Sequence, residues 1–218
     1  MERIILTVIA ATLALGGLVS ASPSAHALPR CRRCGRPPGL RNSSRPRTDE
    51  LGLLPPSPNP YPATLNEIHQ RFVLEAPEQT RERRSLIFEA LRLHVAMMRR
   101  LFKHCRIWLA GGFVTHKADP PRDADLAFLL PARLMSHALS QTALPLWTLA
   151  DVTGRIGAGG PLGLTPRLQP CLGLTDSFLV NSESLANVEY WRRLWSSVID
   201  RSGAATVRTK GFVEVVDD

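Results

Sequence analysis

The sequence predicts an α+β fold in which helices flank a small mixed β-sheet, and two observations support this prediction. Short apolar strands alternate along the chain with longer segments whose apolar residues recur at helical spacing. Hydrophobic residues make up 44% of the chain and charged residues 21%, a balance typical of proteins that bury a core. We therefore expect one folded domain, residues 51–218, preceded by a disordered N-terminal extension.

Residues 1–27 have the pattern of a secretory signal peptide. A positively charged start precedes an apolar stretch over residues 4–19, and small residues stand at both ends of the following Ala-His-Ala, residues 25–27. The apolar stretch is shorter than the roughly 18 to 20 residues of a stable membrane anchor. We therefore predict an exported protein without such an anchor. The alternative is a cytoplasmic protein whose true start lies near Thr48.

Residues 28–50 form a basic linker that we expect to be disordered. The net charge of the chain is +8, and seven arginines lie in this segment. Its Pro, Gly and Ser content leaves no periodic apolar face to bury. The basicity therefore belongs mainly to the linker, and the alternative is an arm that contacts nucleic-acid phosphates weakly.

The helices of the domain are predicted from capping signals and apolar spacing. Thr64 and Glu67 form a capping box at the start of a short helix. A long helix follows over about residues 78–104, because apolar residues recur there at three and four positions. Two more helices are predicted over residues 132–144 and 182–200. The predicted stripe of the long helix comprises Ile87, Leu91, Val95, Met98 and Phe102.

Short apolar segments between these helices are predicted strands. Residues 153–170 are rich in Gly and Pro and predict a loop instead. The predicted strands are residues 106–110, 124–130, 172–180 and 210–216.

The chemistry of the domain is predicted from residues 111–130, GGFVTHKADPPRDADLAFLL. Gly111 and Gly112 follow a predicted strand, where glycines let the backbone turn tightly and approach a ligand. A short helix beginning at Phe113 would direct free N–H groups toward an anion such as a triphosphate.

Asp123 and Asp125 are two residues apart at the start of a predicted strand. Both carboxylates therefore point to the same face, roughly 6.5 to 7 Å apart along the chain. Paired carboxylates raise each other's pKa unless a cation lies between them. Mg²⁺ suits such a pair because it takes oxygen ligands and leaves positions for substrate phosphates. The alternative is a D-x-D loop without a metal.

The glycine pair, the aspartate pair and the apolar strand after them resemble the glycine-rich turn and metal-binding aspartates of the DNA polymerase beta-like nucleotidyltransferase superfamily. Further segments, in order over residues 49–218, are similar to successive blocks of a small bacterial and phage branch of that superfamily. These segments are LGLLPP, ATLNEIHQRFV, WLAGGFVTHKADPPRDADL, TDSFLV, YWRRLW and KGFVEV. The resemblance implies a nucleotidyltransferase-like fold for this part of the chain.

The resemblance also implies a reaction. Such proteins transfer a nucleoside monophosphate from an NTP to a hydroxyl acceptor on a protein, RNA or small molecule, and release pyrophosphate. The resemblance assigns Asp123, Asp125 and Asp176 as ligands of two Mg²⁺ ions, which stabilise the attacking and leaving oxygens. Asp176 is, by the same resemblance, the candidate that activates the acceptor hydroxyl.

The nucleotide-binding residues also follow from the resemblance. Gly111 and Gly112 match the phosphate-binding turn, and Thr115 and Lys117 follow it at positions from which they could contact phosphate.

A fold does not carry an activity by itself. The alternative to a transferase is therefore a catalytically inactive nucleotide- or partner-binding module of the same fold. The sequence contains no GxSxG, HExxH or GxxxxGK[ST] motif, so other familiar hydrolase and nucleotide-binding classes find no support. NTPs are scarce outside the cytoplasm, so a start near Thr48 would reconcile location with chemistry.

Overall fold

The computed structural model describes residues 48–155, 161–199 and 205–217. The predictions for residues 1–27, and for most of the basic linker, lie outside these ranges. The described residues form a mixed β-sheet flanked by helices, which confirms the predicted α+β class. None of the described helices is long and apolar enough to cross a membrane.

Two helices, Arg81–Leu101 and Leu185–Ser196, account for most of the helical structure, and the other helical elements are short. The helical elements are α1 (Leu65–His69), which continues into a π-helical turn (Gln70–Leu74), a 3₁₀ turn (Glu78–Thr80), α2 (Arg81–Leu101), a 3₁₀ turn (Ala132–Leu134), α3 (Met135–Ala138), a 3₁₀ turn (Leu144–Leu146), a single irregular turn (Pro170–Gly173) and α4 (Leu185–Ser196).

The predicted capping box begins α1. The Thr64 hydroxyl accepts from the Glu67 N–H at 3.2 Å, and the Glu67 carboxylate accepts from the Thr64 N–H at 2.9 Å. These two bonds satisfy N–H groups that have no partner inside the helix.

The strands form one five-stranded sheet and two ribbons. In chain order they are β1 (Tyr61–Ala63), β2 (Arg106–Ala110), β3 (Ala124–Leu130), β4 (Leu149–Arg155), β5 (Pro161–Leu168), β6 (Thr175–Asn181), β7 (Ser197–Ile199), β8 (Ala205–Thr209) and β9 (Val213–Val215). The sheet order is β1-β9-β2-β3-β6, while β4 pairs with β5 and β7 with β8. The outer pairs β1/β9 and β3/β6 are parallel, and β2 is antiparallel to both neighbours.

Alternation of side chains along the strands divides the sheet into two faces. One face packs on α2, whose predicted apolar stripe is buried together with Leu126 and Phe128 of β3. The opposite face packs on α4, where the ring centroids of Trp191 and Phe178 are 4.8 Å apart. Asp176 lies two residues before Phe178 on β6, and side chains two apart on a strand point to the same face. Asp176 therefore lies on the face that α4 covers.

The loop predicted for residues 153–170 is wrong. β4 and β5 form an antiparallel hairpin there, with Leu149 opposite Leu168 and Val152 opposite Thr165. Proline disfavours central strands because it donates no ladder hydrogen bond, but each strand of a two-stranded ribbon has a free edge that tolerates it. Backbone pairing therefore prevails over the local Gly and Pro content.

The helix predicted over residues 132–144 is also wrong in extent. Only a 3₁₀ turn and the single turn of α3 form, and the Ser140 N–H then donates to the His137 carbonyl. Ser and Thr in this segment have lower helix propensity than Ala or Leu, which weakens a helix.

Candidate functional site

The sheet brings the predicted aspartates to one end of β3. Asp125 lies opposite Ala110 of the antiparallel β2 and opposite Asp176 of the parallel β6. Register partners on neighbouring strands are about 5 Å apart and point to the same face. Asp123 directly precedes β3, so all three predicted carboxylates lie at the same end of the β3 and β6 strands.

The electrostatic environment of Asp125 is unusual for a carboxylate. Burial raises its pKa to about 6, and the neighbouring Asp123 charge acts in the same direction. The charges of Lys210, Arg167 and Arg122 partly offset this rise. The site therefore mixes acidic and basic groups around one half-buried carboxylate.

Protein groups engage the other two aspartates. Asp176 is 5% exposed and accepts a hydrogen bond from the Thr148 hydroxyl at 2.6 Å. Its second carboxylate oxygen pairs with the Arg167 guanidinium. The Gln169 amide donates to Asp123 at 2.9 Å. Arg167 lies near the end of β5, and Gln169 directly follows that strand. This part of the predicted loop therefore contributes directly to the site.

Gly111 lies against the carboxylate of Asp125. Its φ is +75°, a left-handed value that favours glycine. A Cβ at Gly111 would overlap the Asp125 carboxylate and lie 2.6 Å from its Cγ. The predicted helix beginning at Phe113 is wrong, because residues 111–115 form turns and a bend instead.

Buried Arg84 fixes this turn. Its guanidinium donates to the carbonyls of Phe113 at 2.8 Å and Thr115 at 2.7 Å, and to that of Phe72 at 3.1 Å. It also donates to the Thr80 hydroxyl at 2.9 Å. Burial lowers the pKa of Arg84 to about 10, so the group stays charged at neutral pH. These bonds occupy carbonyls that a helix beginning at this point would use itself.

Arg84 is a residue that sequence reasoning missed. It lies three positions before Ile87 and seven before Leu91, so it shares their side of α2. A cation on the apolar stripe was the signal that could have identified it.

The structure gives the two remaining predicted phosphate ligands different surroundings. Thr115 is buried, and its hydroxyl donates to the Gly112 carbonyl at 2.7 Å. This bond stabilises the turn. Lys117 is exposed. Their contacts with a nucleotide stay predictions.

Sequence reasoning also missed Lys210, which directly precedes Gly211 in the KGFVEV segment. Lys210 is 9% exposed, and its Nζ lies 3.4 Å from the Gly111 carbonyl oxygen. Lys210 lies in the connection between β8 and β9, outside any helical or strand stripe, so its burial gives no periodic signal in the sequence.

Gly111→Ala should destabilise the protein by about 2 kcal/mol, because a Cβ penalises the left-handed backbone and displaces Asp125. Gly112→Ala is the matched control, since its Cβ would make only an ordinary 3.6 Å contact with Pro121. Urea unfolding of both variants measures the difference. Equal losses would show that the close contact between Gly111 and Asp125 does not matter.

The carboxylates fit Mg²⁺ by the chemistry of their donors, which are all oxygens. In the part of the chain that the structure describes, no group of three or more His, Cys, Asp or Glu side chains is arranged so that it could hold a metal ion. Arg167 and Gln169 bond to Asp176 and Asp123 instead. A metal would therefore have to replace those contacts.

The fold and the site define an α+β domain with three carboxylates among basic groups at one end of a mixed sheet. Residues 46–216 match the model of a family described as a family of unknown function, DUF6932, and the chain belongs to that family. No curated protein and no solved structure matches this chain.

Proposed function

We propose that this domain has a nucleotidyltransferase-like fold and is a metal-dependent transferase of nucleoside monophosphate from an NTP to a hydroxyl acceptor. The observation that supports this proposal is the register of β3 against β6, which sets Asp125 beside Asp176. The close contact of Gly111 with Asp125 adds a tight backbone turn at the same place. A phosphate chain held by such a turn would lie next to metal-binding carboxylates.

The reaction assigns a role to each group. Asp123, Asp125 and Asp176 would hold Mg²⁺, which when bound supplies charge stabilisation for the reacting phosphates. The acceptor oxygen forms a bond to the α-phosphorus while the bond to pyrophosphate breaks, and pyrophosphate leaves with the electron pair. Asp176 accepts the proton of the acceptor hydroxyl. Gly111 lets the backbone approach the phosphates.

A second candidate function is a catalytically inactive module that binds a nucleotide or a partner. The pairing of Asp176 with Arg167 and Thr148 favours it. A carboxylate that already has strong partners is a poorer metal ligand and a poorer proton acceptor.

Mn²⁺ or Mg²⁺ together with an NTP should raise the melting temperature of the protein, because a ligand that binds only the folded state stabilises it by mass action. At 100 times Kd the gain is about 2.7 kcal/mol. Asp123→Asn should lose this gain. Asp119→Asn, an exposed aspartate in the same loop, is the control and should keep it.

Transfer itself is measured with NTP that carries its label on the α-phosphate. Labelled acceptor with an equal amount of released pyrophosphate supports the transferase. Binding without label transfer to any of the protein, RNA or small-molecule acceptors supplied would leave the inactive module. An unchanged melting temperature with every NTP would refute the transferase and the nucleotide-binding form of the inactive module.

A further inference from the structure

Lys210 stands out among the described lysines because it is buried at the predicted site. Its Nζ has one described acceptor, the Gly111 carbonyl oxygen at 3.4 Å, which is beyond the usual range for a hydrogen bond. An ammonium group carries three donors. Lys210 therefore keeps donors that this carbonyl does not use, at the turn where a phosphate chain is expected.

The backbone around Lys210 is fixed from several directions. The Lys210 N–H donates to the Ser196 carbonyl at 2.8 Å, and the Gly211 N–H donates to the Leu54 carbonyl at 2.9 Å. A Cβ at Gly211 would lie 2.6 Å from the Tyr61 ring, so only glycine fits there. The backbone that carries the Lys210 side chain is therefore held in one position beside the site. Such support from neighbouring groups helps a side chain to place a ligand atom.

The charges near Lys210 suit a polyanion bound together with a cation. Burial lowers the pKa of Lys210 to about 8, the Asp125 charge raises it, and Lys117 lowers it. Arg122 and Arg167 influence Asp125 from the same region. A metal on the aspartates would add positive charge to these four basic groups. The three aspartates offset part of that positive charge, and a ligand with several negative charges would balance the remainder.

We propose that Lys210 contacts the substrate of this site, donating from its ammonium to a non-bridging oxygen of a triphosphate group beside the Gly111 turn. This inference deepens the proposed function and rests on it for the identity of the ligand. The alternative role is a counter-ion that only neutralises Asp125. The two roles differ in the effect of removing the lysine charge on phosphate binding, because a counter-ion of Asp125 does not itself contact the phosphate.

The test uses calorimetry on the full chain at one pH, with Mn²⁺ alone and with Mn²⁺ plus inorganic tripolyphosphate. Lys210→Met removes the charge and keeps the length of the side chain. We expect it to weaken tripolyphosphate binding by about tenfold or more, as for the loss of a charge-assisted hydrogen bond. Binding of Mn²⁺ alone should stay equal or become tighter. Lys103→Met is the control. Lys103 is exposed and lies just before Arg106, the end of β2 that is away from Gly111.

Lys210→Arg should keep most of the tripolyphosphate affinity, since it retains a cation. Lys210→Gln, which can still donate to the Gly111 carbonyl, replaces the Met variant if that variant does not fold. Parent-like tripolyphosphate binding by the neutral variant would overturn the proposal, as would an absence of tripolyphosphate binding in the parent protein.

The same measurements separate this inference from the proposed function. Tripolyphosphate binding that depends on Lys210, without transfer from labelled NTP, would support the lysine contact and reject the transferase. Transfer by the parent with unchanged tripolyphosphate binding in Lys210→Met would reject the lysine contact alone.

Discussion

Arg84→Met should destabilise the protein by about 3 to 5 kcal/mol, because it removes one buried donor group from several backbone carbonyls at once. The substitution leaves the carbonyls of Phe72, Phe113 and Thr115 without their guanidinium donor. Each buried acceptor left unsatisfied costs about 1 to 3 kcal/mol. Urea unfolding followed by circular dichroism measures the loss.

Arg92→Met is the matched control, because Arg92 lies on the same helix and, among the described residues, forms only an exposed ion pair with Glu89. Exposed pairs contribute less than about 1 kcal/mol. Arg84→Lys should fall between the two, since an ammonium cannot reproduce the planar fork of donors. If Arg84→Met were as stable as Arg92→Met, the turn after Gly112 would not depend on this arginine.

The elements that sequence predicts well are those whose own residues determine them. β3 was predictable because residues 126–130, directly after Asp125, are an unbroken apolar run, which is typical of a strand buried on both faces. α2 was predictable from its apolar stripe and α1 from its capping box. The β4/β5 hairpin was not, because strand pairing is a contact between segments and its Gly and Pro residues favour turns locally.

The candidate site divides in the same way. Asp123 and Asp125 are two residues apart, so their spacing alone predicts that they share one face of a strand. The proximity of Asp176 was predicted only through family resemblance, since strand register cannot be derived from spacing. Arg167 reaches the site from a segment predicted to be a loop. Long-range packing, rather than local pattern, determines such contacts.

Asp125→Asn should stabilise the ligand-free protein above pH 6 by up to about 3 kcal/mol. The carboxyl has a pKa of about 6 in the folded protein against 3.8 as its ordinary value, mainly because of burial. The folded state therefore holds this proton more tightly than the unfolded state. Stability that the protonated group supplies at low pH is lost as pH rises from about 4 to 6, and the loss is complete above that range.

Urea unfolding of the parent and Asp125→Asn between pH 4 and 8 tests this expectation, and the gain of the variant should vanish toward pH 4. Asp176→Asn is the informative comparison, because Asp176 accepts from Thr148 and pairs with Arg167. Neutralising it should destabilise the protein at pH 7. A pH-independent difference for Asp125→Asn would mean that its carboxylate is well solvated or paired in the folded protein. The charge repulsion invoked for the metal site would then be absent.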